Sequence, residues 1–72
     1  MHNHTMLRTI RNQKSLTQDQ LSEKSGVEQS TISGIETGRI KRPAWEIVCK
    51  LARALDTNPE ELFPIEEEKV TA

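Results

Sequence analysis

Two glycines limit more than any other feature what this chain can fold into. Gly26 and Gly38 each follow a short stretch with helical spacing of apolar residues, and glycine takes the left-handed conformation that ends a helix without steric cost. The first stretch opens with Thr17 and Gln20. In that arrangement the hydroxyl accepts from a free first-turn amide while the glutamine reaches back to the cap residue. The pattern predicts a helix starting at Thr17 or Gln18, carrying Leu21 inward and stopping near Ser25. A second pattern begins only two or three residues later, with Ile32 and Ile35 on one face. Helices joined by so short a turn must cross steeply, so Leu21, Val27, Ile32 and Ile35 have to fill the wedge between them and Gly26 has to make the bend.

Helical spacing continues on both sides. Leu7 and Ile10, with Arg8, Arg11 and Lys14 around them, predict a short amphipathic helix from about Thr5 to Lys14. Arg39-Ile40-Lys41-Arg42 forms a basic loop, and Pro43 suits the first turn of a helix. From Ala44 to Leu55 the residues Trp45, Val48, Leu51, Ala52 and Leu55 make an inward stripe, and Trp45 and Phe63, the aromatic residues, read as core. Asp56-Thr57 is a turn. A last short helix is expected with Asn58 as cap, Pro59 in first position and Glu61 reaching back, ended by Pro64. No stretch alternates as a strand would. The chain is therefore expected to be all-α with five helices: a flexible N-terminus over 1–4, one domain over 5–64 and an acidic tail over 65–72.

Size and composition remove several classes of function. With 72 residues, there is material for one small core. Hydrophobic residues are 33% of the chain, and none of their runs is long enough for a membrane span. The opening MHNHTMLR lacks the apolar stretch of a signal peptide, so a cytoplasmic location is expected. Cys49 is the single cysteine, which excludes an internal disulfide, and it reads as a half-buried filler. His2 and His4 lie at the very end with no third ligand nearby, and no nucleophile has a plausible base. Neither a metal, a cofactor, a small-molecule ligand nor an enzymatic activity is expected. The net charge is -1, yet residues 1–42 hold seven bases against four acids and residues 43–72 hold three against seven. One end of a nearly neutral molecule can thus attract phosphate.

The segment TQDQLSEKSGVEQSTISGIETG, Thr17 to Gly38, resembles the helix-turn-helix of the XRE family, which includes phage repressors and Cro proteins. The matching points are Gln18, Leu21, Gly26-Val27, Ile32, Ile35-Glu36 and Gly38, then the basic loop, Pro43 and Leu51-Ala52-Arg53-Ala54-Leu55. The resemblance implies a compact five-helix, phage-repressor-like domain. It also implies a transcriptional regulator, a repressor in the first instance, that binds double-stranded DNA as a homodimer on a palindromic operator. A protein-interaction module on the same scaffold, and an antitoxin or restriction-control regulator, are the alternatives.

Placing Ile32 and Ile35 inward sends Ser30, Ser33, Gly34 and Thr37 to the opposite face, with Gln29 on its flank, at about 100° per residue. That face is polar and uncharged. Gln29, Ser30, Ser33 and Thr31 are the candidate base readers, since glutamine can bond both adenine N6 and N7, and hydroxyls can bond either type of base edge. Thr17 and Gln18 at the start of the preceding helix, and Thr37, Arg39, Lys41 and Arg42 after the second, are the candidate phosphate contacts. The resemblance pairs Arg11 with Glu36 as a salt bridge that orients the reading helix. It also marks Gly34 as a departure, because many relatives carry a large polar DNA-touching side chain there, and one direct touch on DNA is expected to be missing. Glu28 is expected to cap or favour the start of the second helix of the pair rather than read a cytosine. Ser22 stands where the family usually has alanine, and its hydroxyl needs a backbone partner if buried.

Overall fold

The computed structural model describes residues 6–63, which form five α-helices and no strand. They are α1 (Leu7–Gln13), α2 (Gln18–Ser25), α3 (Gln29–Thr37), α4 (Trp45–Ala54) and α5 (Pro59–Leu62). None of these helices is long and apolar enough to cross a membrane. The expectations for residues 1–4 and 65–72, including His2, His4 and the acidic tail, lie outside the described residues, as does Pro64.

Local chemistry sets the ends of α2. The Gln20 amide donates to Thr17 Oγ1 at 3.0 Å and the Thr17 amide donates to Gln20 Oε1 at 2.9 Å, a complete capping box. At the other end Gly26 sits at φ 80° and its amide donates to the Ser22 carbonyl. Gly38, at φ 87°, ends α3 in the same way. The Ser22 hydroxyl donates to the Val27 carbonyl at 2.7 Å, which satisfies it while keeping α2 close to the turn.

One cluster makes the core. Leu21, Val27, Ile32 and Ile35 from the α2–α3 wedge meet Leu51 and Ala52 of α4 and Leu55 at its C-terminal cap, and Leu7 and Leu62 close the cluster from the two ends. Each buried Leu or Ile contributes about 1.5–3 kcal/mol by leaving water. The two ends also meet through the backbone, since the Met6 amide donates to the Leu62 carbonyl at 2.8 Å.

Helices α1 and α4 both end on a left-handed residue other than glycine. Ser15 has φ 59° and Asp56 φ 57°. Around each, the amide that follows bonds back into the helix: Leu16 to the Arg11 carbonyl at 3.1 Å, and Thr57 to the Ala52 carbonyl at 2.9 Å. These are Schellman closures, in which the reversal satisfies the last carbonyls.

Four local expectations need correction. Trp45 is 67% exposed and does not belong to the core. It is the first residue of α4, and although periodicity places it on the stripe of Val48 and Leu51, its side chain stands in solvent while Ile47 and Val48 of the same turn are covered. Phe63, by contrast, is half-buried against the core. Pro43 precedes the α4 cap residue, Ala44, and so lies just outside the helix. Asn58 occupies the cap position of α5, but its side chain bonds no helix amide. Glu61 instead accepts from the Thr57 hydroxyl.

Candidate nucleic-acid interface

The turn between α2 and α3 fixes where the second helix points, and one carboxylate locks the arrangement. Glu36, in the last turn of α3, has a side chain only 1% exposed. Arg11 of α1 donates to it twice, Nε to Oε2 at 2.6 Å and Nη2 to Oε1 at 3.1 Å. Gln18 Nε2 adds a third bond to Oε1 at 3.0 Å, and Arg8 Nε stands 4.0 Å away at the rim. Arg11 Nη1 also donates to the Leu16 carbonyl at 2.7 Å. One carboxylate therefore ties α1, α2 and α3 together.

Burial by itself would push the Glu36 carboxyl up. The hydrogen bonds from Arg11 and Gln18, with the charges of Arg11 and Arg8, outweigh it and hold the group below the usual carboxylate range. The bond to Glu36 in turn raises the Arg11 guanidinium, against the opposing effect of burial.

Gln18 does more than open α2. While its Nε2 is held by Glu36, its Oε1 accepts from Gln29 Nε2 at 3.4 Å. The amide orientation is set by the carboxylate, which can only accept. A chain of contacts thus runs from Arg11 through Glu36 and Gln18 to Gln29, the first residue of α3. Gln29 and Ser30 are exposed, Thr31 and Ser33 are half-buried, and Thr37 is exposed with its hydroxyl on the Gly34 carbonyl at 3.3 Å.

Two polar residues absent from the expected set join this rim. Asn12 and Ser15 line a shallow depression with Thr17, Gln18 and Gln29. The left-handed turn at Ser15 brings the end of α1 beside the start of α2, and linear spacing carries no sign of it. The Thr17 hydroxyl oxygen accepts within the capping box, and a hydroxyl in that role can still donate its own proton.

The basic loop follows α3 and folds back on it. Arg39, Lys41 and Arg42 are exposed, and the loop is held against α3 by the Ile40 amide, which donates to the Gly34 carbonyl at 2.9 Å. Gly34 is buried, contrary to its expected place on the open face. A Cβ at that position would lie 2.7 Å from Arg39 Nη2 and 2.8 Å from Ile40 Cδ1. The space that a side chain at 34 would use is therefore filled by residues of the following loop.

Comparison with known proteins agrees with this geometry. A family model described as a helix-turn-helix domain matches residues 5–63. An uncharacterized HTH-type transcriptional regulator from Methanothermobacter thermautotrophicus is 35% identical over 65 residues, covering 89% of this chain and 93% of that protein. Another, from Archaeoglobus fulgidus, is 32% identical over 66 residues, with 92% and 93% covered. Among solved structures, the restriction-modification controller protein C.AhdI from Aeromonas hydrophila is 40% identical with a TM-score of 0.73, over 79% of this chain and 85% of that one. The chain belongs to the helix-turn-helix domain family.

Proposed function

We propose that the protein is a sequence-specific transcriptional regulator that binds double-stranded DNA by placing α3 in the major groove. The observation that carries this reading is the outer face of α3, whose own exposed side chains are polar and uncharged, with the capped start of α2 joined to it through Gln18 and Gln29 and the basic loop joined to it through Arg39 and Ser30. Gln29, Ser30 and Ser33, with Thr31 at the edge, read bases. Thr17, Gln18, Thr37, Lys41 and Arg42 hold phosphates, and Arg39 adds its positive charge to theirs. The protein acts in the cytoplasm by binding alone, without a catalytic step.

Selectivity requires two copies, because one short helix spans too few base pairs. The functional form is a homodimer on a palindromic operator, with half-sites about 34 Å apart so that both α3 helices enter one face of the duplex. The dimer patch lies on α4 and α5, near Ile47 and the Asp56–Asn58 loop. A bound dimer blocks access to the DNA beneath it, which makes repression the simplest outcome.

The likeness to a restriction-modification controller favours a more specific role, control of the expression of a restriction-modification system. Selection of duplexes from a random pool, followed by titration across salt concentrations, tests the general reading. A palindromic consensus with affinity falling steeply in salt is the expected result. Salt-independent binding, no enrichment, or a strictly monomeric complex by sedimentation would count against it. Finding the enriched sequence upstream of restriction and methyltransferase genes would establish the controller role.

A further inference from the structure

We infer that Arg39, besides its charge, supplies base-specific recognition, its guanidinium standing where a side chain at position 34 would otherwise stand. The inference rests on the DNA-binding reading above and deepens it.

Gly38 at φ 87° turns the chain back on α3, and the Ile40 amide clamps the returning loop to the Gly34 carbonyl at 2.9 Å. The Ile40 side chain then packs over Gly34, leaving the Arg39 side chain to run back along the outer face. Arg39 Nη2 donates to the Ser30 carbonyl at 3.4 Å, and lies 2.7 Å from the point where a Cβ on Gly34 would be. Ser30 and Gly34 are four residues apart and neighbours on one helix face. The guanidinium is therefore laid along the middle of the outward stripe, level with the N-terminal half of α3, the half that approaches base edges in this mode of docking.

The chemistry of that group determines what it can recognise. A guanidinium carries five donors in a planar fork, and the Ser30 carbonyl engages one of its nitrogens. Arg39 is exposed, so the remaining edge faces outward. Two parallel donors match the O6 and N7 acceptors of guanine in the major groove, a pairing that no other base pair offers there. Gln29, with one donor and one acceptor, suits adenine. Arg39 thus adds a guanine to the half-site. Gly34 is required because any side chain would displace the guanidinium.

Arg39→Lys is the discriminating variant, since it keeps the charge and removes the fork. Wild type, Arg39→Lys, Arg39→Ala and Gly34→Ala are compared on random duplex, on the selected operator and on all its single base-pair changes. Arg39→Lys should lose roughly tenfold more affinity on the operator than on random duplex, with the loss confined to one G·C pair per half-site. Gly34→Ala, which leaves Arg39 present but pushes it off the Ser30 carbonyl, should weaken preference at that same pair. If Arg39→Lys keeps the wild-type preference at every pair, or if it and Arg39→Ala weaken random and operator duplexes equally, Arg39 is a backbone contact and the inference is wrong. Gly34→Ala that folds, by circular dichroism, and keeps full preference would also overturn it. A wild-type protein that selects no operator would overturn the regulator reading instead.

Discussion

Arg11 and Glu36 face each other across α1 and α3 in a fork-to-fork pair, with bonds of 2.6 and 3.1 Å and side chains 11% and 1% exposed. Taking two charges out of water is costly, so the pair contributes little net stability, but losing one partner strands the other. Glu36→Ala is expected to destabilise by about 3 kcal/mol, and replacing both residues by apolar ones of similar size by less than the single change. Urea unfolding of Glu36→Ala and of the double replacement checks this. Stability should also fall in acid. The folded-state value of Glu36 lies below its ordinary 4.5, so its contribution is full above that pH and lost as pH drops through the lowered value. The Glu36→Gln variant should lose part of this acid dependence, and an unchanged profile would show that other carboxyls carry it.

Ser15 and Asp56 hold left-handed conformations that side chains disfavour. Glycine at either site should stabilise the fold by about 0.5–1 kcal/mol, less at Asp56 because aspartate tolerates this region better than serine. A lower thermal midpoint for both variants would contradict the strain argument. The corresponding alanine variants should be destabilised.

The exposed indole of Trp45 should emit as a solvated tryptophan and be quenched freely by acrylamide. Trp45→Ala is expected to cost no more than about 0.5 kcal/mol, whereas Leu51→Ala, at a fully buried position, should cost about 2–5 kcal/mol. Thermal melts of the two variants make the comparison, and a large loss on removing Trp45 would place it in the core after all.

Gln18 bonds both Glu36 and Gln29, so its replacement should be felt at the reading helix as well as at phosphate. Gln29→Ala should relax preference at one base pair per half-site and spare random binding more than specific binding. Gln18→Ala should weaken random duplex and, in addition, blur preference at the Gln29 pair. Binding across all single base-pair changes of the selected site checks both. A Gln18→Ala variant that loses affinity evenly would confine Gln18 to the phosphate.

Lys41 and Arg42 stand exposed on the basic loop, beyond the end of α3. Replacing both by alanine should weaken operator and random duplexes alike, and should lower the logarithmic salt slope by about 0.9 for each phosphate no longer neutralised. Loss restricted to the operator would move them from backbone holding to sequence reading.

Much of the framework was written in short-range signals that sequence alone expresses. The Thr17–Gln20 box and the glycines at 26 and 38 mark helix ends through bonds within one turn, and the spacing of Leu21, Ile32, Ile35 and Leu51 names the inward face of each helix. Periodicity identifies a face but not its cover, which is why Trp45 shared the stripe of Leu51 yet stands in solvent. Gly34 shows the converse: helical geometry turns it outward, and the loop of residues 38–40 folds back to bury it. The Arg11–Glu36–Gln18–Gln29 chain likewise joins residues from three helices, and the direction of each bond depends on how those helices cross. Helix ends are decided by neighbours within about four residues, whereas burial and side-chain partnership are decided by whichever distant segment arrives to exclude water. Only the tertiary structure determines that second set.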